Sequence, residues 1–214
     1  MKWIGAIVHQ SAAIASAEAS DCQADTAPAG RYTLNIVCTN TKNMKIAVRI
    51  AMEEDRAAIW SLYESAMKRH IESIWGWDQA WQIAYFEQAF SASSTFVVEI
   101  DAQFGGYLQL DLGEREVYLS MIILTPVARS RRIGAKLLAQ LNTVSQQAGH
   151  TLRLRVFRIN VAARRFYERE GWRVNGEDDV AFSMTHPLGE DAGYTTNWRD
   201  LRPFDFVTAV NGDD

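Results

Sequence analysis

Arg129, Arg131, Arg132 and Lys136 crowd into one turn and the first turn of the helix that follows it. Upstream lies an apolar, β-branched run, Val117 to Leu124, and then Pro126. A strand that ends in a basic turn at a helix N-terminus is a device for holding phosphate. The first helical turn has unpaired N–H groups, the helix dipole adds partial positive charge, and side chains add more. A second grouping able to meet a substrate is Trp75 and Trp77 around the flexible Gly76, followed by Trp81, Tyr85, Phe86 and Phe90. Aromatic residues at helical spacing form core, and the two tryptophans flanking a glycine can instead line a pocket.

The charge distribution singles out the same turn. Residues 129–173 hold eleven basic and two acidic side chains, a sum of +9. Residues 44–128 hold six basic and twelve acidic, a sum of −6, and residues 174–214 hold two basic and nine acidic, a sum of −7. Such a block implies a polyanionic ligand, nucleic acid, or internal pairing with the acidic segments. Nucleic acid is disfavoured. The arginines are spread over a turn, an alternating strand and a short helix, and no nucleic-acid motif accompanies them. Cys22 and Cys38 are too few for a disulfide framework and lack metal-ligand spacing, so no metal is expected.

These residues must be positioned by a domain expected over residues 44–186. Residues 45–50 read as a strand. Ile59, Leu62, Tyr63, Ala66 and Met67 mark one face of a helix, and Asp78 can cap a second. Residues 95–100 and 104–110 form a hairpin, 111–116 a polar loop, and 117–124 a central strand. The basic turn then opens a helix that Gly149 stops. Residues 151–157 alternate as a half-exposed strand. Asn160 can cap a short helix with Ala163, Phe166 and Tyr167 facing inward, and a terminal hairpin follows around 172–174 and 180–184. This order describes a mixed α/β sheet with helices on both faces. Residues 1–43 are expected to be a poorly ordered extension. Their apolar stretch Trp3 to Val8 is interrupted by His9, Gln10 and Ser11, which argues against an export signal. Residues 187–214 read as an acidic tail. No run is long enough to span a bilayer, and a cytoplasmic protein is expected.

The segment from Asn160 through Ala163, Phe166 and Tyr167 to Gly171 and Trp172 resembles the second signature of the GCN5-related N-acetyltransferase (GNAT) superfamily. The family's acyl-CoA signature, Arg/Gln-x-x-Gly-x-Gly/Ala, is matched by Arg129-Ser130-Arg131-Arg132-Ile133-Gly134, with Arg132 replacing the first glycine. Arg132 either narrows the loop and weakens binding or keeps a helical backbone that needs no glycine, with its side chain toward solvent or phosphate; helical residues tolerate a Cβ, so the second is expected. The resemblance covers about 140 residues. It implies a twisted, mostly antiparallel sheet of six to seven strands, about four helices and a splayed central strand pair.

The resemblance also implies acetyl-CoA as acyl donor and a primary amine, on a small molecule or a protein or peptide, as acceptor. Backbone N–H groups from Arg129 through Gly134 would cradle the pyrophosphate, with Gly134 allowing close approach. The backbone of Ile122, Ile123 and Leu124 would pair with the pantetheine arm, and Asn160 would contact it or simply cap its helix. Tyr167 would protonate the departing thiolate, since a phenol with a pKa of about 10 can supply a proton there. The residue that accepts the amine's proton stays open among Glu99, Asp111, Glu116, a water oriented by Ser120, or a water relay. The rival function is a non-catalytic acyl-CoA-binding sensor on the same fold, and either a monomer or a homodimer is compatible with the sequence.

Overall fold

A computed structural model describes residues 44–187. The expectations for the N-terminal extension, the two cysteines and the acidic tail after Pro187 lie outside the described residues. Seven strands form one sheet: β1 (Ile46–Ile50), β2 (Ser94–Ile100), β3 (Gln103–Leu112), β4 (Glu116–Leu124), β5 (Thr151–Phe157), β6 (Arg173–Glu177) and β7 (Ala181–His186). Their spatial order is β1-β2-β3-β4-β5-β7-β6. Every neighbouring pair is antiparallel except β4 with β5, which is parallel. Four α-helices complete the domain: α1 (Arg56–Trp75), α2 (Gln79–Ala92), α3 (Ile133–Gln147) and α4 (Val161–Arg169). No helix among the described residues is long and apolar enough to cross a membrane.

Alternation divides the strand side chains between two cores. On one face Leu119, Leu152 and Leu154 pack with Ile133, Leu137, Leu138 and Leu141 of α3 and with Phe166 and Tyr167 of α4. On the other face Val97, Tyr107 and Ile123 pack with Ile59, Leu62, Tyr63 and Ile71 of α1 and Phe86 of α2. The aromatic residues around α1 and α2 are therefore mostly core: Trp60 and Phe86 meet edge to face with centroids 5.2 Å apart.

Three differences from the sequence expectations have local causes. The polar loop over 111–116 is shorter, because β3 runs through Asp111 to Leu112 and β4 starts at Glu116. Charged residues at strand ends hide the ladder from a hydrophobicity pattern. The terminal hairpin begins one residue later than expected, and β7 inserts between β5 and β6. That insertion leaves β6 exposed along its whole length. Helix α3 ends at Gln147, two residues before Gly149. Gly149 still takes the left-handed conformation expected after a helix, with φ +69°.

Candidate active site

The parallel pair β4 and β5 is joined only from Glu116–Thr151 to Leu119–Leu154. Beyond that point β4 stays on β3 as far as Leu124, while β5 stays on β7 as far as Phe157. The strands part, and the edge of β4 past Leu119 is left without a strand partner on that side. A β-bulge accompanies the parting. Gln109 pairs with Met121 and Leu110 with Leu119, so Ser120 is the extra residue of β4. Backbone groups on this open edge suit an extended ligand that pairs like an added strand. Ile122, Ile123 and Leu124 all lie there, and Ile123 turns its side chain into the α1/α2 core.

The turn after β4 supplies donors. The N–H groups of Ala128 and Arg129 bond to the carbonyl of Thr125, at 2.9 and 3.2 Å, and that of Lys136 bonds to Arg132. Between them, the six N–H groups from Ser130 to Ala135 donate to no described residue. Ser130 and Arg132 have φ of +60° and +59° on either side of a residue with negative φ. Alternating handedness turns successive N–H groups toward one concavity, an anion-binding nest. Helix α3 starts directly behind it, and its N-cap makes no side-chain hydrogen bond that would use up these donors.

Two details of this turn correct the sequence expectations. Arg129 is outside the cradle: its N–H closes the turn, and its guanidinium Nε donates to the carbonyl of Leu124 at 2.9 Å. Ala135 extends the donor run instead. Arg132 is not helical. It is the left-handed N-cap of α3, with φ 59° and ψ 9°, the conformation for which the family pattern has a glycine. A left-handed L-residue costs about 1–2 kcal/mol. Substitution by glycine removes that cost but adds about 0.5–1 kcal/mol of unfolded-chain entropy. Arg132→Gly is thus expected to fold with equal or slightly higher thermal stability and to bind acetyl-CoA equally or several-fold more tightly. Calorimetric titration checks this. Binding weaker by about tenfold or more would show that the guanidinium itself holds phosphate.

Gly134 has a structural role beside any contact with a ligand. A Cβ there would meet Cζ of Phe166 at 3.1 Å, so the glycine lets α3 and α4 pack closely beside the nest. The positive block also resolves into two parts. Arg153, Arg155, Arg158 and Arg164 form ion pairs with Glu116, Asp178, Glu177 and Glu168. Arg131, Arg132 and Lys136, around the nest, form none with a described residue. Internal pairing takes up four arginines of β5, the loop after it and α4, while Arg165, Arg169 and Arg173 form no ion pair with a described residue and lie away from the turn, on α4 and β6.

Helix α4 lines the gap from the α3 side. Asn160 is its N-cap, its side-chain oxygen accepting from the N–H of Ala163 at 3.1 Å. The amide nitrogen of that side chain bonds to no described residue. Tyr167 is partly buried, tilted against Phe166 with centroids 5.4 Å apart and edge-on to Trp172 at 5.9 Å. Burial raises its phenol pKa above the usual 10.0, and the neighbouring Tyr118 phenol adds to the shift. Its hydroxyl bonds to no described residue. The Tyr118 phenol is itself pushed up to about 12, chiefly by burial. Sequence reading missed Tyr118 because nothing local marks it. Only the register, which sets it between Asp111 and Arg153, brings it to the gap.

The remaining candidates separate. Glu99 lies on β2, two strands from β4, and its carboxylate accepts from Arg49 Nε at 2.7 Å. Glu116 sits where β4 and β5 are still paired and binds Arg153 at 2.9 Å. Neither reaches the gap. Ser120 does, and its hydroxyl donates to Asp111 Oδ2 at 2.6 Å. Trp75 meets Phe157, at the free end of β5, edge-on with centroids 5.7 Å apart. Trp77 packs on Tyr63 at 6.5 Å beneath the Lys68 ammonium, farther along the α1/α2 core. Among the described residues no group of three or more His, Cys, Asp or Glu side chains is placed to hold a metal ion.

A family model described as the acetyltransferase (GNAT) family matches residues 52–172. Among solved structures, the PaiA N-acetyltransferase of Thermoplasma acidophilum in complex with coenzyme A is 19% identical. It matches with a TM-score of 0.56, covering 66% of this chain and 98% of that one. Ard1 from Thermoplasma volcanium is 15% identical, with a TM-score of 0.52 over 68% of this chain and 99% of that one. The ribosomal-protein-S18-alanine N-acetyltransferase of Escherichia coli is 18% identical, with a TM-score of 0.51 over 68% and 97%. At these identities the likeness speaks to the fold. No curated protein matches the sequence.

Proposed function

The chain belongs to the GNAT acetyltransferase family, and on that premise we propose that it transfers the acetyl group of acetyl-CoA to a primary amine by direct attack. The observation that carries this reading is the run of six N–H groups from Ser130 to Ala135 with no described partner, at the N-terminus of α3 and beside the opening between β4 and β5. A pyrophosphate fits such a nest, which provides many donors and fixed positive potential. Arg131 and Lys136 add mobile positive charge around it.

Each residue then has a task. The open edge of β4, from Ser120 to Leu124, offers main-chain donors and acceptors to the pantetheine arm. Asn160 offers its free side-chain amide beside that edge. Tyr167 donates its proton to the sulfur as the carbon–sulfur bond breaks. The raised pKa keeps that proton in place through neutral and moderately alkaline pH. The amine approaches from the α1/α2 face, so donor and acceptor meet in the gap without crossing. The proposal includes a cytoplasmic location and a monomer or homodimer, and it needs neither metal nor nucleic acid.

Titration with acetyl-CoA tests the donor half. One molecule is expected to bind per chain, more weakly as salt is raised, because part of the attraction is to exposed cations. Absence of binding at millimolar acetyl-CoA would overturn the reading.

A further inference from the structure

Asp111 stands apart from the other carboxylates near the gap. It lies on β3 opposite Tyr118, on the sheet face that carries Tyr107 and the α1/α2 core. Its two oxygens accept from the hydroxyls of Ser93, at the end of α2, and of Ser120, at 2.6 Å for the latter. Ser120 is the bulge residue one step past the last β4–β5 pair. The carboxylate is therefore anchored at the point where the strands part.

No described cation pairs with it, whereas Asp55, Glu99, Glu116 and Asp178 each hold an arginine. A partly buried carboxylate costs free energy unless a positive charge compensates it, and two neutral hydroxyls compensate only in part. The charged or titratable groups around it come from three elements. Tyr85 of α2 is stacked on Trp81 with centroids 5.3 Å apart and an interplanar angle of 8°. Tyr118 is its partner on β4. Arg153 and Arg155 of β5 lie beyond Tyr118 and are engaged by Glu116 and Asp178. The phenols of Tyr85 and Tyr118 are raised first by burial, and the charge of Asp111 adds to both.

We propose that Asp111 receives the acceptor's ammonium group, and that the acceptor is a monocationic primary amine with an aromatic or apolar body, an arylalkylamine in class. The proposal rests on the acetyl-transfer reading and names the acceptor of that same site. One carboxylate at the gap takes one ammonium, and Arg155 on the neighbouring strand disfavours a second positive charge. Tyr118, opposite Asp111, and the Trp75–Phe157 pair at the free end of β5 are the aromatic groups suited to an aromatic body and a cation. In the reaction, one ammonium proton passes to Asp111 and on to water. The nitrogen lone pair forms the bond to the thioester carbonyl carbon, the carbon–sulfur bond breaks, and its electron pair stays on sulfur. Sulfur takes the Tyr167 proton, and the second proton leaving nitrogen restores the phenol.

The experiment measures CoA release by the full chain with 2-phenylethylamine and, separately, with spermidine, in the wild type and in Asp111→Asn. Acetyl-CoA affinity is followed in parallel by calorimetry. The wild type is expected to favour 2-phenylethylamine over spermidine in kcat/KM by about tenfold or more, as one like-charge mismatch would give. Asp111→Asn is expected to lose about 10²-fold in kcat/KM for 2-phenylethylamine, with acetyl-CoA affinity unchanged. Preference for spermidine, or an asparagine variant within about threefold of wild type, would overturn the proposal while leaving acetyl transfer intact. The selectivity arm needs no variant, so it decides even if Asp111→Asn misfolds. Failure of the wild type to bind acetyl-CoA would overturn the underlying reading and the proposal with it.

Discussion

Replacing Tyr167 by phenylalanine is expected to lower kcat by about 10²-fold while leaving acetyl-CoA affinity within about twofold. The ring is held by Phe166 and Trp172, and phenylalanine keeps both contacts. The hydroxyl bonds to no described residue, so its removal strands no buried partner and the loss of stability is small. What disappears is the hydroxyl proposed to protonate the sulfur. Burial raises the phenol pKa, so the proton is present across the working range, and wild-type turnover should show no loss from this group below about pH 10. Stopped-flow or steady-state CoA release with calorimetry on the same samples separates the two quantities. Full activity in the variant would remove the acid role.

The second large effect is structural and acts on the open edge of β4. Gly106 of β3 lies opposite Leu124 with φ +150°. A Cβ at this position would come within 2.3 Å of the Ile123 carbonyl oxygen and 2.9 Å of the Leu124 Cα, both backbone atoms. No side-chain rotation relieves such contacts. The strand must move, or β3 must adopt a different φ. Backbone strain of about 1–3 kcal/mol and overpacking of about 1–3 kcal/mol therefore add, so Gly106→Ala is expected to lose about 3–5 kcal/mol. That is a large part of the stability of an ordinary domain, about 5–15 kcal/mol. The displaced segment is also the open edge of β4, so acetyl-CoA binding should fall with it. Urea denaturation gives the first quantity. A variant within about 1 kcal/mol of wild type would show that β4 shifts freely here.

The sequence made some of this site legible and hid the rest for identifiable reasons. Asn160 caps one short helix and Tyr167 lies about two turns into it, a spacing visible in the sequence alone. The nest was foreseeable in place but not in detail. The sequence expectation gave Arg132 a helical backbone, and the family resemblance placed Arg129 among the donors. Helix α3 begins at Ile133, so Arg132 carries the left-handed turn. Glu99 looked as available as Asp111, since a strand residue carries no mark of its cross-strand partner. The β1–β2 register gives Glu99 to Arg49. Asp111, Ser93 and Ser120 come from an apparent loop, a helix end and an apolar run. Only the β3–β4 register and its bulge unite them. The one sequence signal was a serine in the middle of an apolar strand.

The most direct measurement of acetyl transfer is CoA release from acetyl-CoA by the full chain across a panel of primary amines, with the acetylated products identified by mass. The account predicts release that requires an amine, rises with amine concentration to saturation, and yields the N-acetyl amine in equal amount. Acetyl-CoA binding with no amine-dependent release by any member of the panel would contradict it, and would make the fold a sensor of acyl-CoA instead of an acetyltransferase.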